Sequence, residues 1–119
     1  MKEIGKIGED RAAEFFENKG YRVIEKNFRS KFGEIDLIIS RAPDELVFVE
    51  VRSKTSSLWG EPFETVGTLK QKKLYRLAEY YLSIKDLSSL FCRFDVLSIL
   101  LHSDGKVKKL EHIENAFGM

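Results

Sequence analysis

Two acids set inside apolar runs constrain this chain more than any other feature. Gly33-Glu34-Ile35-Asp36-Leu37-Ile38 carries Asp36, and Phe48-Val49-Glu50-Val51-Arg52 carries Glu50 with a base two residues on. A charge taken out of water is costly unless it is paired or holds a metal. Residues two apart on a strand share a face, so Phe48, Glu50 and Arg52 point one way, as do Glu34, Asp36 and Ile38. A turn at Pro43-Asp44 joins the two runs, which predicts an antiparallel hairpin. Centred there, it pairs Ser40 with Leu46, Ile38 with Phe48, Asp36 with Glu50 and Glu34 with Arg52. Like charges directly opposite one another destabilise a sheet. A divalent cation converts that repulsion into coordination, and Mg2+ favours one or two carboxylates plus water and phosphate. Asp36 and Glu50 are therefore candidate ligands for Mg2+ or Mn2+ in phosphodiester chemistry.

The rest of the pattern sets an α/β fold. At 119 residues, with 43% hydrophobic and 33% charged, the chain suits one domain over 1–119 with a single core. Apolar positions predict a helix over Lys6 to Lys19 carrying Ile7, Ala12, Ala13, Phe15 and Phe16, stopped by Gly20. Strands are expected at Tyr21 to Phe28, with Tyr21, Val23 and Glu25 on one face, then at Glu34 to Ser40 and Leu46 to Ser53. A polar loop with Trp59 and Phe63 follows, to Gly67. Thr68 and Gln71 have the spacing of a capping box. The helix beyond them carries its stripe on Leu74, Leu77, Ala78, Tyr81 and Leu82. Phe91 to Leu101 reads as a doubly covered strand, and Asp104-Gly105 as a turn into a short strand around Val107 to Leu110.

The net charge of +1 gives no global pull toward nucleic acid or membrane, so any basic surface is local. Lys70, Lys72, Lys73 and Arg76 cluster at the start of the second helix, where cations oppose the helix dipole and a bound phosphate would be held by both. Lys26, Arg29 and Lys31 form another cluster. The one cysteine, Cys92, excludes an internal disulfide and a Cys-rich zinc site and reads as a core residue. No run reaches the roughly 20 apolar residues of a membrane helix, and Met1 to Gly5 carries no apolar leader segment. A cytoplasmic protein without a membrane partner is expected.

The residues also carry a resemblance. Gly8-Glu9-x-x-Ala12, Gly33 to Ile38, Val47-Phe48-Val49-Glu50-Val51, Lys70-Gln71 and Cys92-Arg93-Phe94-Asp95-Val96 together resemble the YraN-like family of bacterial proteins, over most of the chain. More distantly, the pattern is similar to PD-(D/E)xK nucleases and archaeal Holliday-junction resolvases. The resemblance implies a restriction-endonuclease-like αβββαβ core, a mixed sheet flanked by helices. It implies a metal-dependent nuclease acting on DNA, branched DNA included, in a fold whose resolvase members work as homodimers. On that pattern Asp36 and Glu50 fall on the two metal-binding acids, and Glu9 on a first-helix acid that assists them. Gln71 falls on a second-helix glutamine that orients water or substrate. Ile35 replaces a proline, and Arg52 stands at the catalytic lysine. Arg suits phosphate binding rather than proton transfer, and Lys54, two residues on, is the candidate for the missing ammonium.

Each residue also has a structural reading. Asp36 suits a satisfied strand-end carboxylate, and Glu50 a partner of Arg52 or another base. Arg52 suits an ion pair with Glu34, Lys54 an exposed loop, and Gln71 the capping box. The basic helix suits a solvated face, Glu9 a solvated glutamate, and Arg93 with Asp95 an internal ion pair. Trp59 and Phe63 suit base stacking, core packing or a dimer contact. Two other function classes remain: a nuclease-fold module that binds nucleic acid without cleaving it, and a protein-interaction domain using the Trp59 loop.

Overall fold

The computed structural model describes residues 4–55, 66–87 and 90–117. Trp59 and Phe63 lie outside them. The elements run α1 (Ile4–Asn18), β1 (Arg22–Ser30), β2 (Gly33–Ser40), β3 (Glu45–Lys54), α2 (Thr68–Ile84), β4 (Phe91–Leu101) and β5 (Val107–Phe117). The five strands form one mixed sheet in chain order. β1–β2, β2–β3 and β4–β5 are antiparallel, and β3–β4 is parallel, with α2 as the crossover. This is the αβββαβ order of the restriction-endonuclease-like core, with one further strand. No helix among the described residues is long and apolar enough to cross a membrane.

Strand alternation divides the core between the two faces of the sheet. Val47, Val49, Leu97, Ile99 and Leu101 meet Ala12 and Phe16 of α1 on one side. Phe48, Phe94, Val96 and Phe117 meet Leu74, Leu77, Ala78 and Tyr81 of α2 on the other. Both expected helical stripes are the buried ones, although Ile7 and Phe15 are only partly covered. α1 ends as the sequence predicts: Gly20 sits at φ +92°, and Tyr21 N–H reaches Phe16 C=O at 2.9 Å. Cys92 is half-buried against the α2-side core.

Three local expectations are corrected. There is no capping box: Gly67 is the N-cap of α2 and no side chain caps it. Gln71 instead donates its side-chain amide to Val66 C=O at 2.7 Å. Glu25 does not share a face with Tyr21 and Val23. A bulge between Val23 and Glu25 turns it over, and it hydrogen-bonds Tyr81 of α2 while Val23 packs with α1. That bond, behind burial, helps hold the Tyr81 hydroxyl above its usual pKa. β5 runs to Phe117, well beyond Leu110. Its second half has no apolar alternation to announce it, and what holds it is a buried acid on β4.

That acid is Asp95, with no exposed surface. Arg93 grips it through Nε at 2.8 Å and a terminal nitrogen at 3.0 Å. His112 Nε2 lies 2.8 Å from Oδ2, which it shares with the Arg93 terminal nitrogen, and Asn115 N–H donates to Oδ1 at 2.9 Å. Arg93 also donates to the Tyr21 hydroxyl, tying in the residue that leads into β1. Burial alone would raise the Asp95 pKa, but these bonds outweigh it and hold the carboxyl below its usual range. The expected Arg93–Asp95 ion pair is thus the centre of a network. Removing the acid leaves the largely buried Arg93 with only the longer Glu45 contact, at 3.9 Å, as counter-charge. Asp95→Ala is expected to lose about 3–5 kcal/mol of stability in urea unfolding. The Asp95 share is present above the unfolded carboxylate pKa and is lost as pH falls through the lower folded one. A loss under about 1 kcal/mol would show that the network contributes little.

Candidate functional site

Down the middle of the β2–β3 hairpin the register is the expected one: Ile39 faces Val47, Ile38 faces Phe48 and Leu37 faces Val49. The ladder stops there. β2 stays paired with β1 as far as Gly33, and β3 with β4 as far as Lys54. The sheet therefore forks beyond Leu37 and Val49. The expected direct backbone pairs Asp36–Glu50 and Glu34–Arg52 do not form. In their place Asp36 Oδ2 accepts the Val51 N–H at 2.7 Å, a side chain standing in for a lost ladder bond.

The local chain explains the fork. In β1, Asn27 takes φ +53° between the register pairs Lys26–Leu37 and Phe28–Ile35, opposite Asp36. Asn tolerates this left-handed conformation better than most side chains. On β2, Ile35 packs with the α2-side core and Leu37 with the α1-side core, although they are two apart. A regular strand would keep them on one face. The strand changes face at Asp36 and delivers its carboxylate to the fork.

α1 supplies the next acid. Gly8 packs so closely on β3 that a Cβ there would lie 1.7 Å from Ser53 Oγ and 2.8 Å from Ser53 Cβ. That approach brings Glu9 beside the fork. Glu9, Glu34 and Asp36 each offer a carboxylate oxygen, all within 4.8 Å of one another. In an octahedron with metal–oxygen bonds near 2.1 Å, ligand oxygens lie about 3.0–4.2 Å apart. Small side-chain rotations bring these acids into that range, so the trio fits a divalent cation.

The expected trio was Asp36, Glu50 and Glu9. Glu34, read as a structural partner of Arg52, instead joins the acids and accepts Arg29 Nε–H at 3.1 Å from β1. The Glu34-x-Asp36 spacing on one strand was the available signal. Glu50, only 8% exposed, lines the same cleft and forms a salt bridge with Lys70 of α2. Lys70, read as a DNA contact, thus sits inside the site. The cleft, about 310 Å³, is lined by Phe32, Gly33, Glu34, Asp36, Glu50, Lys70, Lys73, Leu74 and Leu77. Arg52 and Lys54 are half-buried on β3, so Lys54 belongs to the strand rather than to a loop. Gln71 is engaged with Val66. Lys72 is exposed, Arg76 lies over the Phe32 ring at 5.7 Å, and Arg29 is 74% exposed with Glu34 as its partner.

The electrostatics of the fork are the reverse of those at Asp95. Burial, then the nearby Glu50, Glu9 and Glu34, push the Asp36 pKa up to about 7 against the single Val51 N–H that lowers it. Metal-free, the folded protein keeps this proton up to about pH 7, whereas the unfolded chain loses it near 3.8. Between those values the folded state binds more protons, so stability falls as pH rises. The Asp36 share is on the order of 2–4 kcal/mol. Urea unfolding in a chelator at a series of pH values is expected to show this decline in wild type and its loss in Asp36→Asn; parallel pH profiles would contradict it. Gly8→Val is expected to push α1 off β3 and lower stability by about 1–3 kcal/mol. An unchanged unfolding midpoint would show that α1 has room to spare.

Comparison with known proteins matches residues 8–99 to the family model described as "Uncharacterised protein family UPF0102". The UPF0102 protein of Pelotomaculum thermopropionicum is 43% identical over 114 residues, covering 96% of this chain and 94% of the relative. That of Dictyoglomus turgidum is 44% identical over 116 residues, covering 98% of each. That of Persephonella marina is 44% identical over 115 residues, covering 97% of this chain and 93% of the relative.

Proposed function

The chain belongs to the UPF0102 family, and on that premise we propose that it is a divalent-cation-dependent phosphodiesterase acting on DNA, branched DNA included. The observation that carries the reading is the convergence of Glu9, Glu34 and Asp36 in a fork of the sheet, beside a cleft wall bearing Lys70 and Lys73. Folding gains nothing from three carboxylates held together; they raise one another's proton affinity. A cation relieves that repulsion, and a phosphate then brings the remaining negative charge to the lysines.

Asp36, Glu9 and Glu34 would hold Mg2+ or Mn2+. When bound, the ion supplies a more acidic water and neutralises charge developing on a phosphate oxygen. Lys70 answers the charge of Glu50 while no phosphate is present. With phosphate in the cleft, its ammonium serves both partners and steadies the approach of the anion. Lys73 extends that positive wall. Arg52, on the same strand face as Glu50, carries a planar guanidinium that suits two-point binding of phosphate oxygens. Lys54 adds charge along the same line. Gln71 anchors the first turn of α2 through Val66 and so positions Lys70.

The test is titration of Mn2+ and Mg2+ against linear, single-stranded and branched DNA, comparing wild type with Asp36→Asn. Metal-dependent cleavage is expected, reduced about 100-fold or more in Asp36→Asn, with Lys70→Met also impaired. Absence of cleavage on every substrate at saturating metal would overturn the enzyme. Salt-sensitive DNA binding that needs no metal and survives Asp36→Asn would then identify a binding module on this fold.

A further inference from the structure

The cleft has a feature that cation and phosphate chemistry does not use. One of its lining side chains is an aromatic ring. Phe32 sits at the tip of the β1–β2 hairpin, where its N–H donates to Ser30 Oγ at 3.0 Å. Gly33, at φ +131°, presses the tip toward α2; a Cβ there would lie 3.4 Å from Leu77 Cδ1. The half-buried ring lines the same cavity as Asp36, Glu50, Lys70 and Lys73. Two cations gather over it, Lys31 Nζ at 5.3 Å and Arg76 Cζ at 5.7 Å from the centroid. Tyr80 meets it edge-on at 5.7 Å.

A buried-side aromatic alone would be core packing. This one lines a cleft that also holds the Asp36 and Glu50 carboxylates and the Lys70 and Lys73 ammonium groups, and two further cations lie over its ring. The occupant that matches all three is a nucleotide unit. A phosphate suits Lys70 and Lys73, and a base suits the Phe32 ring and Leu77. Lys31 and Arg76, now drawn to the ring's π-face, have neighbouring phosphates as better partners. A base inside a duplex presents only its edges, because its faces are stacked on its neighbours. The base on Phe32 must therefore be unpaired.

We propose that Phe32 is the stacking platform of a subsite for an unpaired base, which makes single-stranded or frayed DNA the preferred ligand of this cleft over intact duplex. The inference rests on the nucleic-acid reading of the cleft above, but its test requires neither metal nor cleavage. Binding of a short fluorescein-labelled oligothymidine, and of a duplex of equal length, is measured by anisotropy in a chelator at low salt. Wild type is expected to favour the single strand. Aromatic–base stacking contributes about 1–3 kcal/mol per base, so Phe32→Leu is expected to weaken single-strand binding roughly 5- to 150-fold. Duplex binding is expected to stay the same. Phe32→Trp, which restores a π-face, is expected to bind at least as tightly as wild type.

Equal binding of both ligands by wild type, an unchanged Phe32→Leu, or equal losses on both ligands would overturn the subsite. A second measurement needs no variant. Photo-crosslinking of wild type to a bromouracil-containing single strand is expected to label the peptide that contains Phe32, and labelling confined to other peptides would overturn the proposal. The two readings fail separately. Cleavage that is lost in Asp36→Asn but indifferent to Phe32→Leu keeps the enzyme and removes the subsite. Phe32-dependent binding without cleavage keeps the subsite and removes the enzyme.

Discussion

What a sheet does with a carboxylate withdrawn from water governs this molecule. Two aspartates test the rule in opposite directions. Asp95 is sealed in the sheet and receives Arg93, His112 and the Asn115 N–H, and its pKa falls. Asp36 is less deeply set and receives a single backbone N–H among three other carboxylates, and its pKa rises to about 7. Burial works against the charge in both. The difference lies in the count of donors and the sign of the neighbours. One acid has all it needs from the protein. The other, among the described residues, has one N–H donor against three acids, and that imbalance is what the proposed cation would relieve.

The Asp95 network and the fork also divide the labour of the fold. At one end of the sheet, Arg93, Asp95 and His112 join β4 to β5, and Tyr21 brings in the approach to β1. At the other end, β2 leaves β3 and the sheet opens. Between them lie the apolar layers on both faces, with Phe48, Phe94 and Phe117 stacked under α2. Val47, Phe48 and Val49, the β3 side of the surviving hairpin ladder, lie in those layers.

Much of this was legible in the sequence because it depends on local period. The stripe of α2, the limits of β4 and the middle register of the β2–β3 hairpin follow from spacing and from the Pro43-Asp44 turn. What could not be read there arises from partners far apart in the chain. Nothing local marks Glu34 as a companion of Glu9, or Lys70 as the partner of Glu50. The end of the hairpin ladder depends on Asn27 in a different strand, whose positive φ gives no periodic signal. Thr68 and Gln71 had the spacing of a cap, yet the Gln71 side chain donates its amide to the C=O of the buried Val66 instead of accepting an N-cap N–H. The second half of β5 was hidden because one of its tethers, the Asn115 N–H on Asp95, is a backbone group.

The tight seat of Gly8 on Ser53 has one more consequence, which concerns order of assembly. Glu9 is made before Ser53, but its place at the fork exists only after Ser53 has joined the sheet. Lys70 comes later still, on the helix that closes the opposite face. The acids therefore meet only in the finished molecule. A nascent or partly unfolded chain carries the same side chains without the cleft, so correct folding itself acts as the switch that brings the site into being.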